Sequence, residues 1–155
     1  MMNTWFECKI RYEKTMENGL NKKVTEAYLV DALSYTEAEE RFIREMEPCM
    51  QGEFGVASIR RVNFTELFWN DSTKADTWFK CKLAFTTLDE KTGTEKKTTT
   101  NVLVQACDLR DAVKRLDEGM KGSMADYQIV SVAETAIMYV FKYEAEPDVK
   151  PEFTE

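Results

Sequence analysis

Two short segments place a tryptophan beside lysines on one predicted face of a β-strand. Trp5 precedes Lys9 by four residues, and Trp78 precedes Lys80 and Lys82 by two and four. Side chains at even spacing share a strand face. Sheet proteins that bind single-stranded nucleic acid stack bases on aromatic rings and hold phosphates with cations. We therefore predict a candidate nucleic-acid-binding set, namely Trp5, Lys9, Trp78, Lys80 and Lys82.

The competing interpretation of these two segments is structural. A tryptophan is large enough to bury itself even on a polar face, where it would cover the junction between two lobes or pack beneath a neighbouring strand. Glu7 also lies within the first segment. The formal net charge of −7 opposes tight non-specific binding to nucleic acid, which depends largely on phosphate neutralisation.

The composition excludes most catalytic and metal-binding chemistry. The sequence has no histidine, which removes Ser-His and Cys-His pairs and the commonest general base. Its six glycines are scattered singly, so no phosphate-binding loop is present. The cysteines have no metal-ligand spacing, and we predict buried structural thiols, no disulfide, no metal and no cofactor. The four cysteines are Cys8, Cys49, Cys81 and Cys107.

The strands that carry the tryptophans open a repeated pattern. The segment Trp5-Phe6-Glu7-Cys8-Lys9-Ile10 returns as Trp78-Phe79-Lys80-Cys81-Lys82-Leu83, with apolar and polar residues alternating in both. Asn18-Gly19 and Thr92-Gly93 predict hairpin turns. The strand after the first turn is apolar on both faces at Tyr28-Leu29-Val30, which predicts a position inside a sheet.

A capped helix is predicted after each hairpin. Ser34 and Asp108 are the predicted N-caps, and Glu37 and Asp111 complete a capping box three residues later. Apolar residues then recur at helical spacing, which predicts one face packed on a sheet. In the first helix these residues are Ala38, Phe42, Met46 and Cys49, and in the second they are Ala112, Leu116 and Met120.

A third strand is predicted from Val56 to Trp69, interrupted near Asn63 to Thr65. The fold class is therefore α+β, as a tandem duplication of a ββαβ unit packed as a pseudo-two-fold single domain. Residues 1–72 form the first repeat, residues 73–144 the second, and residues 145–155 an acidic tail predicted to be disordered. We expect one joint globular body, because a unit this small buries little apolar surface. Two questions stay open: whether the six strands form one sheet or two, and where the third strand pairs.

No apolar run approaches the roughly 20 residues of a membrane helix, and no secretory signal is readable at the start. Unpaired cysteines are typical of a reducing compartment. We therefore expect a cytoplasmic protein without membrane contact, and its oligomeric state stays open.

Four segments carry a resemblance to a known family. They are Trp5-Phe6-Glu7-Cys8-Lys9-Ile10-Arg11-Tyr12, Tyr28-Leu29-Val30-Asp31-Ala32-Leu33-Ser34, Phe64-Thr65-Glu66-Leu67-Phe68 and Met124-Ala125-Asp126-Tyr127. From Trp5 to about Tyr143 the chain resembles a domain-of-unknown-function family from anaerobic gut bacteria and their phages. The resemblance implies an intracellular protein of a prophage or other mobile element. It supplies no activity and no functional residue.

The leading functional prediction is a non-enzymatic binding protein of phage or mobile-element origin, favoured as a single-stranded nucleic-acid binder. The alternative is a protein–protein interaction module, an adaptor or inhibitor whose acidic surface faces a basic partner. A third class is an enzyme that uses carboxylates at the interface between the lobes. The partner is macromolecular in the first two cases.

Overall fold

The structure, a computed structural model, describes residues 4–123 and 126–142. These residues form a mixed α+β fold, which confirms the predicted class, while the predicted tail 145–155 lies outside the described residues. In chain order the elements are β1 (Trp5–Thr15), β2 (Asn21–Asp31), α1 (Tyr35–Met46), β3 (Phe54–Val62), β4 (Glu66–Phe68), β5 (Thr77–Leu88), β6 (Glu95–Ala106), α2 (Leu109–Gly119), β7 (Tyr127–Glu134) and β8 (Ile137–Phe141).

The strands form two four-stranded sheets, with the orders β3-β1-β2-β8 and β7-β5-β6-β4. In both sheets the strand after the helix pairs antiparallel with the first strand of the hairpin, β3 with β1 and β7 with β5. The second hairpin strand lies inside its sheet, as its apolar centre predicts. These orders answer both open questions about the sheets.

The predicted single third strand is wrong, because the segment forms two strands that belong to different sheets. β3 ends at Val62, and β4 pairs parallel with β6, with Leu67 opposite Leu103. The interruption itself occurs where it was predicted. There the backbone N–H of Thr65 donates to the carbonyl of Asn101 at 2.9 Å, which directs the chain onto the second sheet. The described residues therefore hold eight strands where the ββαβ pattern predicts six.

The described residues fall into two compact units. The first unit holds the chain up to Val62 and again from Tyr139, and the second holds Asn63–Met138. The first unit thus combines two separate stretches of the chain, whereas each predicted repeat is one continuous stretch. The two divisions of the chain are therefore different.

The predicted hairpin turns and helix caps are confirmed. Gly19 and Gly93 adopt φ of 81° and 67°, the left-handed backbone that such turns require. At α1 the Ser34 hydroxyl accepts from the backbone N–H of Glu37 at 3.1 Å, and the Glu37 carboxylate accepts from that of Leu33 at 3.4 Å. Asp108 and Asp111 make the same pair of contacts at α2, at 2.8 and 2.9 Å.

Each helix packs its apolar stripe on one face of a sheet. Ala38, Phe42 and Met46 are buried against the first sheet, and Ala112 and Leu116 against the second. Cys8 and Cys81 lie fully buried in these two cores, as predicted.

The prediction of burial is wrong for two cysteines. Cys49 is exposed because α1 ends at Met46 and a 3₁₀ turn from Glu47 to Cys49, which contains Pro48, carries the chain away from the core. Cys107 is also exposed, immediately before the cap of α2.

Candidate nucleic-acid interface

The two predicted stacking residues are buried. Trp5 is 7% exposed and Trp78 is 3% exposed, so neither ring presents a face to a base. Both residues belong to the strand face opposite the helix, as alternation predicts, because Phe6 and Phe79 beside them enter the helix-covered cores. The structure thus places the tryptophans as the competing structural interpretation expects, among the buried residues of their units.

The cationic part of the first segment is neutralised internally. The Glu7 carboxylate accepts from the guanidinium of Arg60 on β3 at 3.0 Å, and the Nζ of Lys9 lies 3.9 Å from the same oxygen. Glu7 therefore draws both neighbouring cations, and a phosphate approaching Lys9 would meet a carboxylate beside it.

The second segment has a different electrostatic character. Lys80 and Lys82 are exposed on β5, and Lys97 is exposed on the same face of β6, opposite Thr86. Within the described residues, none of these three lysines forms a salt bridge shorter than 4.0 Å. We call Lys80, Lys82 and Lys97 the lysine face.

Neutral side chains surround the lysine face. Lys80 lies between Leu103 of β6 and Ala133 of β7, and Lys82 lies between Asn101 and Ser131. Along the paired positions of β5 and β6, the first acidic residue on this face is Glu95, which lies opposite Leu88 at the turn end of the hairpin. The lysine face is thus free of acidic residues from Trp78 to Thr86 along β5.

Asn101 adds an unsatisfied polar atom beside Lys82. Its side-chain oxygen is buried and has no hydrogen-bond partner among the described residues. A buried acceptor of this kind is costly unless water or a ligand donates to it.

Trp69 is the aromatic residue that sequence reasoning missed. It is 46% exposed, and its ring contacts that of Trp78 edge-on, with centroids 5.1 Å apart at 90°. The next residue fixes its position, because the backbone N–H of Asn70 donates to the side chain of Gln105 at 3.1 Å. Gln105 lies opposite Trp78 in register. The signal in the sequence was a tryptophan at the very end of an apolar run, followed by a polar loop.

Burial makes the two core cysteines poor ligands and nucleophiles. It raises the pKa of the Cys8 thiol to about 12 and that of Cys81 to about 11, so both stay protonated at neutral pH. Across residues 4–123 and 126–142, no three Cys, Asp or Glu side chains converge in a way that could hold a metal ion. No helix in that part of the chain is both long and apolar enough to span a membrane.

A comparison with curated proteins finds no match. Residues 4–143, however, match a family described as a domain of unknown function, DUF4494, and this match covers all the elements described above. The chain therefore belongs to the DUF4494 family.

Proposed function

We propose that this protein is a non-enzymatic, cytoplasmic binding protein that holds single-stranded nucleic acid on the lysine face of its second sheet. The observation that carries the proposal is a row of exposed, unpaired lysines without a neighbouring carboxylate, on the sheet face opposite α2, in a chain whose net charge is −7. In an acidic protein, a locally basic face concentrates attraction for a polyanion at one place.

Trp69 supplies the stacking group that the buried tryptophans cannot. Its ring lies against Trp78, which shares a strand face with Lys80 and Lys82. Stacking on an aromatic ring requires an unstacked base, so Trp69 favours a single strand over a duplex. The Trp69 ring packs against the buried Trp78 on one side and is therefore already ordered, so less entropy is lost when a base stacks on it.

The proposal of a non-enzymatic role rests on composition and on the site. The sequence has no histidine, and the lysine face has no carboxylate to act as a general base between Trp78 and Thr86. The contacts that the site offers are ammonium, amide, hydroxyl and aromatic groups, which bind a nucleic acid without reacting with it.

Fluorescence anisotropy with labelled single-stranded oligonucleotides tests the proposal. Replacing Lys80, Lys82 and Lys97 together by Ala should weaken binding at low salt at least tenfold. It should also reduce the slope of log affinity against log salt by about 2, since each phosphate contact on a single strand contributes roughly 0.7. Trp69→Leu should weaken binding to a single strand while leaving binding to heparin, a polyanion without bases, unchanged.

The matched control removes the same charge elsewhere. Lys14, Lys22 and Lys23 are exposed near the turn of the first hairpin, and replacing these three by Ala should change affinity far less. Absence of binding by the wild-type protein, or an equal loss in both triple variants, would contradict the proposal.

An origin by tandem duplication in a phage or other mobile element is part of the same proposal. The shared strand order of the two sheets supports the duplication, and so does the burial of Cys8 and Cys81, each three residues after the tryptophan of its strand. The resemblance to a family from gut bacteria and their phages supports the origin. Discovery of relatives with one unit, encoded among phage genes, would test both.

A further inference from the structure

The first unit has an open groove between α1 and the edge strand β3. Apolar side chains that are half-buried form its floor, and acidic side chains stand around them. The floor consists of Ile43, Phe54 and Val56, and the acidic residues are Glu39, Glu47 and Glu53. No Lys or Arg is among the residues that line the groove. We call these six residues the acidic groove.

The groove lies along an unpaired sheet edge. β3 pairs with β1 on one side and is the outermost strand of its sheet in the described residues. An outermost strand presents backbone N–H and C=O groups that another extended segment can pair with. Phe54 and Val56 alternate with Gly55 along this strand, so the groove side of the edge is apolar and the intervening residue has no side chain.

The carboxylates carry a charge that nothing in the groove offsets. Among the described residues, none of Glu39, Glu47 and Glu53 forms a salt bridge shorter than 4.0 Å, although Arg44 lies on the same helix. The charge of Glu39 also acts on the core, because this carboxylate contributes, after burial and Glu7, to the raised pKa of the Cys8 thiol. A cationic ligand therefore meets unpaired negative charge beside apolar surface.

The second unit closes the corresponding place by a contact of its own. β7 begins at Tyr127, which pairs with Phe85 as Phe54 of β3 pairs with Tyr12. The Tyr127 hydroxyl donates to the Asp117 carboxylate of α2 at 3.0 Å, so helix and edge strand are joined there. Among the described residues of the first unit, no such side-chain hydrogen bond joins α1 to the first residues of β3, where the acidic groove lies.

We propose that the acidic groove binds an extended basic segment of a partner protein, which adds to β3 as a further strand. Peptides that bind this way gain affinity from main-chain hydrogen bonds and specificity from alternate side chains. An apolar side chain would contact Ile43, Phe54 and Val56, and Lys or Arg side chains would reach the carboxylates. This surface shares no residue with the lysine face and has the opposite charge.

The spacing of the carboxylates sets the pattern of the segment. Glu39 and Glu47 are eight residues apart, which corresponds to about 12 Å along a helix. Two residues four apart on a strand span about 13 Å and face the same side. The segment should therefore read basic, any, apolar, any, basic.

Anisotropy of a labelled synthetic peptide with this pattern tests the proposal. The probe is a peptide of about eight residues with Lys at both basic positions and Ile between them, a usual length for a strand. Replacing Glu39, Glu47 and Glu53 together by Gln should weaken its binding about tenfold, because the two lysines of the peptide then lose the carboxylates that attract them. The matched control replaces Glu17, Glu40 and Glu45, which lie outside the groove, and should retain most of the affinity.

Two further probes separate strand addition from general attraction. A peptide of the same composition in scrambled order should bind weakly, and so should a version N-methylated at alternate residues, which cannot donate to β3. Equal binding of the original and the N-methylated peptide would overturn the proposal, as would equal loss in both Gln variants. The lysine-face variants should bind the peptide normally, so failure here leaves the nucleic-acid proposal standing, and the reverse also holds.

Discussion

Gly119→Ala should destabilise the protein, although alanine is the better helix former. Gly119 is the last residue of α2, and a Cβ added there would lie 2.6 Å from two atoms of the Phe68 ring and 3.0 Å from a third. Carbon atoms in ordinary contact are about 3.5 to 4.0 Å apart, so the overlap is about 1 Å. Phe68 is held by the pairing of β4 with β6, opposite Val104, and its ring must shift for the methyl group to fit.

The sign of the effect is decided by two opposing free energies. Replacing Gly by Ala inside a helix gains up to about 1 kcal/mol, and less at the last residue. Overpacking costs about 1 to 3 kcal/mol, and contact with three ring atoms places this case in the upper half of that range. We expect a net loss of about 1 to 2 kcal/mol in the free energy of unfolding, or about 2 to 8 °C in Tm for a chain of this size.

Urea unfolding followed by circular dichroism measures the difference. In a Phe68→Ala background the ring is gone, so Gly119→Ala should become neutral or stabilising, which corresponds to a coupling of about 2 kcal/mol between the two sites. Gly55→Ala is the matched control, because an added Cβ there meets nothing within 4 Å. Stabilisation by Gly119→Ala in the wild-type background, or equal effects in both backgrounds, would refute the packing of β4 against α2.

Two further predictions concern titratable groups. In the folded protein at pH 8, Ellman's reagent should modify the exposed Cys49 rapidly, and the exposed Cys107 more slowly, because desolvation and a hydrogen bond with Asp111 raise the pKa of the Cys107 thiol. It should reach Cys8 and Cys81 only after unfolding, because burial raises the pKa of those two thiols to about 12 and about 11. Rapid reaction of all four would contradict the burial of Cys8 and Cys81. The backbone N–H of Cys107, and then Arg115, hold the pKa of Asp111 below its ordinary value of 3.8. The ionised Asp111 therefore stabilises the folded protein fully above pH 3.8, and this stabilisation is lost as the pH falls through the lowered pKa of the folded state. The difference in unfolding free energy between wild type and Asp111→Asn should therefore shrink on acidification, and a difference that does not change with pH would contradict the shift.

Features specified by local chemistry could be predicted from the sequence. The helix starts follow from Ser34 and Asp108, and the turns follow from glycines at positions that need positive φ. The buried stripe of α1 follows from helical spacing as far as Met46. The prediction that this stripe continues to Cys49 was wrong, because Pro48 lies within a tighter turn that carries Cys49 away from the core.

Features that depend on distant pairing could not be predicted in this way. β4 has three residues, and its partner β6 lies more than thirty residues further along the chain, so no local pattern distinguishes it from a continuation of β3. Alternation placed Trp78 and Lys80 on one strand face, but it does not tell how deeply each is buried. For the same reason Trp69 was not recognised as the exposed ring.

The position of β8 has a consequence for the order of events during synthesis. The second sheet needs only residues between Glu66 and Glu134, but β2, which ends at Asp31, gains its outer neighbour when Ile137–Phe141 emerges. At about 5 to 20 residues per second, the roughly one hundred residues in between take about 5 to 20 s to translate. During that time the nascent first sheet has an open edge at Tyr28, whose ring stacks on Phe141 in the folded protein at 5.8 Å. The ribosome thus supplies the strands of the second sheet while the first sheet still exposes an aggregation-prone strand, and the pairing of β8 ends that exposure.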